Sequence, residues 1–313
     1  MNIKGELFMN NLPKFYMMIG LPASMKSSFI ERNKINNDVI VSSDALREEL
    51  FGDVNDQTHN NEVFNEMYKR TRQGLSSNHN VWYDATNLSR KKRINLLKEL
   101  PSCQKIAIVM ATPFEVCELY RNKRNRIVPY YVMDRMYKSF EPPHRDEGFD
   151  EIHVNLWRGE GWKSADEILA ENIKCPHDNP NHSLSCGEHC LAAEEIAVDY
   201  FSKHNNYSDD DKEIVIAAAK YHDMSKYKCK TWVSKKGEFS GWAHYYNHEN
   251  VSAYDYLCGQ RYCGEKEIEV ANLIANHMIF FNNINAIKAR KKVYNENFWS
   301  KLELLHLFDK EAH

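Results

Sequence analysis

The sequence contains no run approaching about 18 uninterrupted apolar residues, which speaks against a membrane span. Its first residues lack the charged, apolar and small-residue succession of a secretory signal. It shows no internal repeat and no low-complexity segment. It also lacks a strong excess of either charge: the net charge is -3. Bulk electrostatics therefore do not announce a nucleic-acid binder, and any anionic partner must meet a local patch. Two such patches are visible, Arg121-Asn-Lys-Arg-Asn-Arg126 and Lys288-Ala-Arg-Lys-Lys292. The eight cysteines, in a chain of this size without a signal, read as reduced thiols. The cytoplasm is the expected location, or the host cytoplasm if the chain is phage-encoded.

What is present suits two domains. The chain has 313 residues, of which 42% are hydrophobic, enough for two ordinary cores. After a tail at residues 1–13, short apolar runs alternate with helical stretches. Phe15–Ile19, Val39–Val41, Val81–Tyr83, Ile106–Ala111 and Ile152–Leu156 read as strands. Leu88–Leu100 and Pro113–Arg126 carry helical spacing. That alternation predicts a mainly parallel α/β domain over residues 14–158. Residues 159–176 form the expected linker, with a short helix at Asp166–Asn172. The strand signal then fades, and residues 177–313 read as helical, with the clearest helices at Glu188–His204, Asp209–Tyr221, Asn247–Leu257, Lys266–His277 and Asn297–His313.

Gly20-Leu21-Pro22-Ala23-Ser24-Met25-Lys26-Ser27 follows the first strand and leads into a helical run. In that setting a loop can surround phosphates with its backbone N–H groups, while Lys26 reaches the terminal phosphates and Ser27 binds Mg²⁺. Met25 stands where the usual pattern has glycine, and methionine resists positive φ. Asp44 and Arg47 follow the second strand, at the sheet edge where α/β folds bind ligands. A carboxylate there can accept a proton from an attacking hydroxyl, and Arg47 can grip a phosphate; the bland alternative is an exposed i,i+3 charge pair, which is common. Asp84 ends the third strand before Ala-Thr86-Asn87, as a contact to Mg²⁺ or substrate, or, like Thr86, as a helix cap. In a phosphoryl-transfer enzyme, the arginines at 121, 124 and 126 would close over the phosphates rather than form a solvated face.

Together, Gly20–Ser27, Asp44-x-x-Arg47, Asp84-Ala-Thr-Asn87 and Arg121-Asn to Val128-Pro129 resemble the phage polynucleotide 5′-kinase branch of P-loop kinases. Arg135-Met136, Phe140-Glu-Pro-Pro143 and Glu147-Gly-Phe149 resemble related members. The resemblance implies a parallel sheet with helices on both faces, and ATP and Mg²⁺ as cofactors. It implies that Asp44 is the general base, that Arg47 contacts substrate phosphate, and that Arg121 with either Arg124 or Arg126 forms a lid.

Most of the 14 histidines fall in the second half. His222-Asp223 ends the small-residue run Ala217-Ala-Ala-Lys-Tyr221. With His189 and Asp309 it supplies two imidazoles and two carboxylates, a set suited to Mn²⁺, Fe²⁺, Ni²⁺, Co²⁺ or Zn²⁺. His248 and His277 add ligands for a second ion, and His244 is a further ligand or phosphate contact. Two ions could activate a water and hold a phosphate. The bland alternative is a set of buried, hydrogen-bonded histidines. Cys175, His177, Cys186 and Cys190 have types and spacing that permit zinc, but ordinary thiols are the favoured reading. The loop that carries them could instead cover the histidine site, with His182 as a phosphate contact.

His189, His222-Asp223 and Asp309 resemble the H…HD…D pattern of the HD phosphohydrolase superfamily, with Lys226 where that superfamily often has a basic residue. Thr231-Trp to Ala243-His-Tyr-Tyr-Asn-His248-Glu is similar to HD domains attached to tRNA nucleotidyltransferases. The resemblance implies an all-α HD domain acting on phosphomonoesters and 2′,3′-cyclic phosphates. The pairing is similar to bacterial end-healing enzymes that join the same parts in the reverse order. The expected function is nucleic-acid end repair, RNA foremost. One half would phosphorylate a 5′-hydroxyl and the other would remove a 3′- or cyclic phosphate, leaving ends for an RNA ligase. The alternatives are a small-molecule kinase fused to a nucleotide phosphohydrolase, and a non-catalytic nucleotide-binding sensor.

Overall fold

The computed structural model describes residues 12–123, 128–180 and 183–312. It divides into two compact units. One comprises the chain up to Met133 with Glu147–Asn155, and the other comprises Asp134–Asp146 with the chain from Leu156 onward. No described helix is long and apolar enough to cross a membrane.

The first unit is built on β1 (Lys14–Ile19), α1 (Lys26–Asn33), β2 (Val39–Ser42), α2 (Ser43–Phe51), α3 (Asn60–Ser76), β3 (Val81–Asp84), α4 (Arg90–Lys98), β4 (Gln104–Ala111) and α5 (Phe114–Arg121). Then come α6 (Tyr130–Tyr137), along which the chain passes into the second unit, and β5 (Glu151–Leu156). The sheet order is β2-β3-β1-β4-β5. The β2–β3, β3–β1 and β1–β4 pairs are parallel. A strand buried on both faces needs apolar residues throughout rather than alternation. Phe15, Met17, Met18 and Ile19 of the central strand meet that need, all fully buried.

Parallel pairing places the carboxyl ends of β1, β2 and β3 at one edge of the sheet. Gly20, Ser43-Asp44 and Asp84 all stand there, at the edge where α/β sheets bind ligands. Gly20 has no substitute: a Cβ on it would lie 2.8 Å from Ser24 Oγ and 3.0 Å from Met110 Cβ. Below the edge, Arg93 is fully buried and grips Glu147 with two bonds of 2.7 Å. A bidentate pair of this kind ties α4 to the turn before β5.

The second unit is mainly helical: α7 (Ala165–Ile173), α8 (Cys186–Lys203), α9 (Asp209–Tyr221), α10 (His248–Cys258), α11 (Glu265–Asn276), α12 (Ile284–Lys291) and α13 (Glu296–Glu311). Between α9 and α10 it also carries a hairpin, β6 (Lys230–Val233) and β7 (Phe239–Tyr245), paired antiparallel. Its first strand has only four residues, one of them lysine, which explains why the strand signal there is faint. Ala193, Ala197, Ala218 and Ala219 are fully buried in α8 and α9, and small residues there let the two helices approach closely. Reciprocal capping boxes, Ser164 with Glu167 and Ser185 with Glu188, fix the starts of α7 and α8. The Lys288–Lys292 patch lies at the end of α12, where Arg290 is paired with Glu141.

Candidate active sites

The Gly20–Ser27 loop turns from β1 into α1 with two non-glycine residues in the left-handed region, Ala23 at φ 63° and Met25 at φ 66°. Met25 thus adopts the conformation its side chain disfavours. Turns of this kind aim successive N–H groups into one concavity, which attracts anions. The Lys26 ammonium folds into the loop, 2.7 Å from Leu21 O, 3.1 Å from Gly20 O and 3.5 Å from Ser24 Oγ. Ser27 donates to Asp84 Oδ2 at 2.8 Å, joining the loop to the end of β3. Gly20 N–H donates to Thr86 O, and the Asn87 carboxamide donates to Met18 O at 2.7 Å, so the segment after β3 is pinned against β1. Loop amides, an ammonium, a hydroxyl and a carboxylate together fit a magnesium-bound polyphosphate.

Asp44 stands partly exposed in the first turn of α2. Arg47 Nη1 lies 3.4 Å from its Oδ1. Arg47 itself is only 4% exposed, and its donors face the scaffold: Asp56 O at 2.8 Å, Ser43 O at 3.0 Å and Asn60 Oδ1 at 2.7 Å. Asp56 is held in turn by His59 Nδ1 at 2.6 Å. Asp56, His59 and Asn60 carry no motif, and nothing in the sequence marks them. Arg121 ends α5 and donates to Val128 O at 2.9 Å. Arg124 and Arg126 lie outside the described residues, as do His182 and most of the 1–13 tail.

In the second unit the elements bring six of the expected residues together. His189 comes from the first turn of α8, His222-Asp223 from the end of α9, His248 from the start of α10, His277 from the end of α11, and Asp309 from α13. They form two groups that share Asp223: His189, His222 and Asp223, and Asp223, His248 and His277. Asp309 Oδ1 lies 2.9 Å from His189 Nε2 and 3.3 Å from His222 Nε2. Asp223 Oδ1 lies 3.0 Å from His248 Nε2 and 3.5 Å from His277 Nε2.

The other ring nitrogens decide what these imidazoles offer. Nδ1 of His189, His222, His248 and His277 meets the carbonyls of Ala312, Ala219, Tyr245 and Ile274 at 2.7, 2.8, 2.6 and 2.7 Å. A carbonyl only accepts, so each Nδ1 carries its hydrogen and each Nε2 is left to face the carboxylates. His248 Nε2 and His277 Nε2 stand 3.2 Å apart. Two bare lone pairs at that distance repel, and either a proton on one imidazole or a metal ion between the two relieves the repulsion. The buried His222 Nε2 and Asp223 Oδ1 make no hydrogen bond. This donor set fits divalent transition ions.

The electrostatics agree. Burial opposes charge on His222, but Asp223 and Asp309 outweigh it and push its pKa up to about 9. Burial likewise opposes charge on Asp309, yet His189 and His222 hold its carboxyl well below the usual range. Asp223 is also held low against burial, by Lys226 and His248, with Lys226 Nζ 2.7 Å from Oδ2.

Asn172 supports the site unannounced by sequence. Its fully buried carboxamide donates to Asp223 O at 2.8 Å and accepts from Tyr227 N–H at 3.3 Å, clamping the turn after α9. His244 belongs to neither ligand group and stacks on Tyr246 at 5.3 Å. Among the described residues, Cys175, His177, Cys186 and Cys190 form no ligand group. Burial pushes the Cys186 thiol up to about 12, as expected of an inert thiol.

Comparison with known proteins bears on each unit separately. Residues 15–143 match the AAA domain family and residues 186–309 match the HD domain family. No curated protein sequence matches the chain significantly. Among solved structures, one described as "Structure of Pnkp1/Rnl/Hen1 complex" is similar over 38% of this chain and 42% of that chain, at 24% identity and a TM-score of 0.32. Another, "Structure of the Pnkp1/Rnl/Hen1 RNA repair complex", is similar over 41% and 44%, at 23% identity and a TM-score of 0.37. The chain thus spans less than half the length of either. Residues 15–143 are an AAA-type P-loop domain, and residues 186–309 are an HD domain.

Proposed function

We propose that the chain heals broken nucleic-acid ends, RNA foremost, as an ATP-dependent 5′-hydroxyl kinase and a metal-dependent 3′-phosphatase and 2′,3′-cyclic phosphodiesterase. One observation carries the reading: a single chain holds a phosphate-loop turn whose Ser27 is bonded to Asp84 and, in its other half, an imidazole–carboxylate cluster. Broken strands that end in a 5′-hydroxyl and a 3′- or cyclic phosphate need both.

In the kinase half, the Gly20–Ser27 amides and Lys26 would hold the terminal phosphates, and Ser27 with Asp84 would hold Mg²⁺, which would supply charge neutralisation for the transferred group. Asp44 accepts the proton of the attacking 5′-hydroxyl. Arg47, with its donors turned to Ser43, Asp56 and Asn60, keeps that carboxylate in place. Arg121 belongs to the lid. In the HD half, His189, His222, Asp223 and Asp309 would hold one divalent ion, and Asp223, His248 and His277 a second. Such ions activate water and offset phosphate charge. The Nδ1 bonds hold the imidazoles in the tautomer that offers Nε2, and Asn172 fixes the backbone beneath Asp223.

The test compares acceptors and donors by size. A 5′-hydroxyl oligonucleotide should be phosphorylated in preference to free nucleosides, and a 3′-phosphorylated oligonucleotide should be hydrolysed in preference to mononucleotides. Preference for the small molecules would replace this reading with a small-molecule kinase and nucleotide phosphohydrolase. ATP binding without turnover on any acceptor would favour a nucleotide sensor.

A further inference from the structure

The β6–β7 hairpin presents an unusual surface. Trp232, Val233, Phe239 and Trp242 are 39%, 44%, 81% and 49% exposed. Large apolar groups so exposed gain nothing from folding and mark a surface that something else covers. The Trp232 and Phe239 rings lie within 16° of parallel, with centroids 6.4 Å apart. A Cβ at Gly241 or at Gly237 would meet nothing within 4 Å, so the backbone at those two positions is uncovered.

Charge narrows the occupant. From Lys226 to Tyr246 the sequence has five lysines and one acidic residue, Glu238. Lys226, Lys228 and Lys230 are paired with Asp223, Asp255 and Asp178, so the charge offered to a ligand is that of Lys235 and Lys236. Lys235 and Lys236 are exposed at the turn, and Lys235 lies over the Tyr246 ring, 5.2 Å from its centroid. Flat aromatic faces among basic side chains match single-stranded nucleic acid, whose bases stack and whose phosphates attract cations. The hairpin is also tied to the metal-ligand cluster through its backbone. Lys230 pairs with Tyr245 across the hairpin, and the Tyr245 carbonyl holds Nδ1 of His248.

We propose that the β6–β7 hairpin is a stacking platform for single-stranded nucleic acid, on which the bases next to a terminal phosphate rest while that phosphate reaches the HD site. This rests on the end-healing reading, since it supplies the preference of that site for polynucleotide ends. Nothing in the chemistry of the imidazole–carboxylate cluster would by itself distinguish an oligonucleotide phosphate from a small phosphomonoester. The hairpin supplies the difference through bases rather than through the phosphate.

The experiment uses the full chain and the variants Phe239→Ala, Trp242→Ala and Lys235→Ala/Lys236→Ala. A fluorescent ten-nucleotide single strand is bound at increasing salt, and hydrolysis of a 3′-phosphorylated strand is compared with hydrolysis of p-nitrophenyl phosphate. Each aromatic variant should weaken strand binding about 10-fold and raise KM for the strand, with kcat and p-nitrophenyl phosphate turnover unchanged. The double lysine variant should make the dependence of log Kd on log salt shallower, by roughly 0.7 for each phosphate it no longer neutralises. Unchanged strand binding in all the variants overturns the platform, as does an equal loss on both substrates, which would mark a structural role. Tryptophan fluorescence shifting with vesicles of phosphatidylcholine and phosphatidylserine, but not with the strand, overturns it in favour of a lipid surface. Strand binding is read without catalysis. A chain that hydrolyses no strand yet loses binding in the variants keeps the platform and rejects the end-healing reading.

Discussion

Met25→Gly isolates what the unusual residue in the phosphate loop does. Met25 sits at φ 66° and ψ 25°. That region costs an L-residue roughly 1–2 kcal/mol. Its side chain is half-buried against the cluster of Met18, Ile30, Trp82, Ile106, Ile108 and Met110. Full burial of a methionine is worth about 1.5–3 kcal/mol, so half-burial returns about 1 kcal/mol. Glycine would remove the strain and the packing together, and would loosen the unfolded chain by about 0.4–1 kcal/mol. The contributions nearly cancel, so stability should change by less than about 1 kcal/mol. Because methionine already holds the left-handed turn, the loop amides need no rearrangement. Calorimetric titration with ATP and Mg²⁺ should therefore show a Kd within about 5-fold of the parent. Met25→Val, β-branched in the same region, should weaken ATP by about 10-fold or more. A tightening of about 30-fold in Met25→Gly would refute the reasoning, because it would mean that methionine keeps the loop out of its binding shape.

Asp44→Asn should lower 5′-phosphorylation by about 10²–10⁴ and spare the hydrolase; near-normal kinase turnover would reject its role as base. Asp223→Ala should deplete bound transition metal, measured by elemental analysis, and stop 3′-dephosphorylation while the kinase stays active; full metal occupancy would count against the site. Asn172→Ala leaves Tyr227 N–H without its partner and Asp223 O with Lys226 N–H alone, and should cost about 1–3 kcal/mol in melting experiments and weaken metal binding; an unchanged melt would show that the clamp is dispensable. In chelator-treated protein His222 should titrate near 9, above its ordinary 6.5. A raised folded pKa gives stability that is complete below 6.5 and lost as pH rises through 9, so the melting temperature should fall across that window and His222→Asn should flatten the fall. A rise in melting temperature with pH would contradict the assignment.

The features legible in the sequence are those whose chemistry is local. Gly20, Lys26 and Ser27 declare a phosphate loop because backbone approach, charge and hydroxyl must fall at fixed spacing after a strand. His222-Asp223 stands out because adjacent ligands at a helix end are rarely accidental. The strands of the first unit are readable because strands buried on both faces must be apolar throughout. What stays hidden depends on distant partners. Asn172 touches residues 51 and 55 positions away, and Arg93 meets Glu147 across 54 positions. Arg47 suggests a phosphate contact by type and position, whereas its donors face three residues that no pattern links to it. The hairpin escapes the sequence because β6 has only four residues, with a lysine and no alternation to mark it.

The most direct test of the central claim is sealing of a nicked RNA bearing a 5′-hydroxyl and a 2′,3′-cyclic phosphate, with ATP, divalent ions and an added ligase. The parent protein should make the nick sealable. Lys26→Ala should leave the 5′ end unphosphorylated, and Asp223→Ala should leave the cyclic phosphate. A mixture of the two variants should restore sealing, because each supplies the activity the other lacks. A parent protein that phosphorylates free nucleosides and hydrolyses free nucleotides, yet leaves the nick unsealed, would contradict the account.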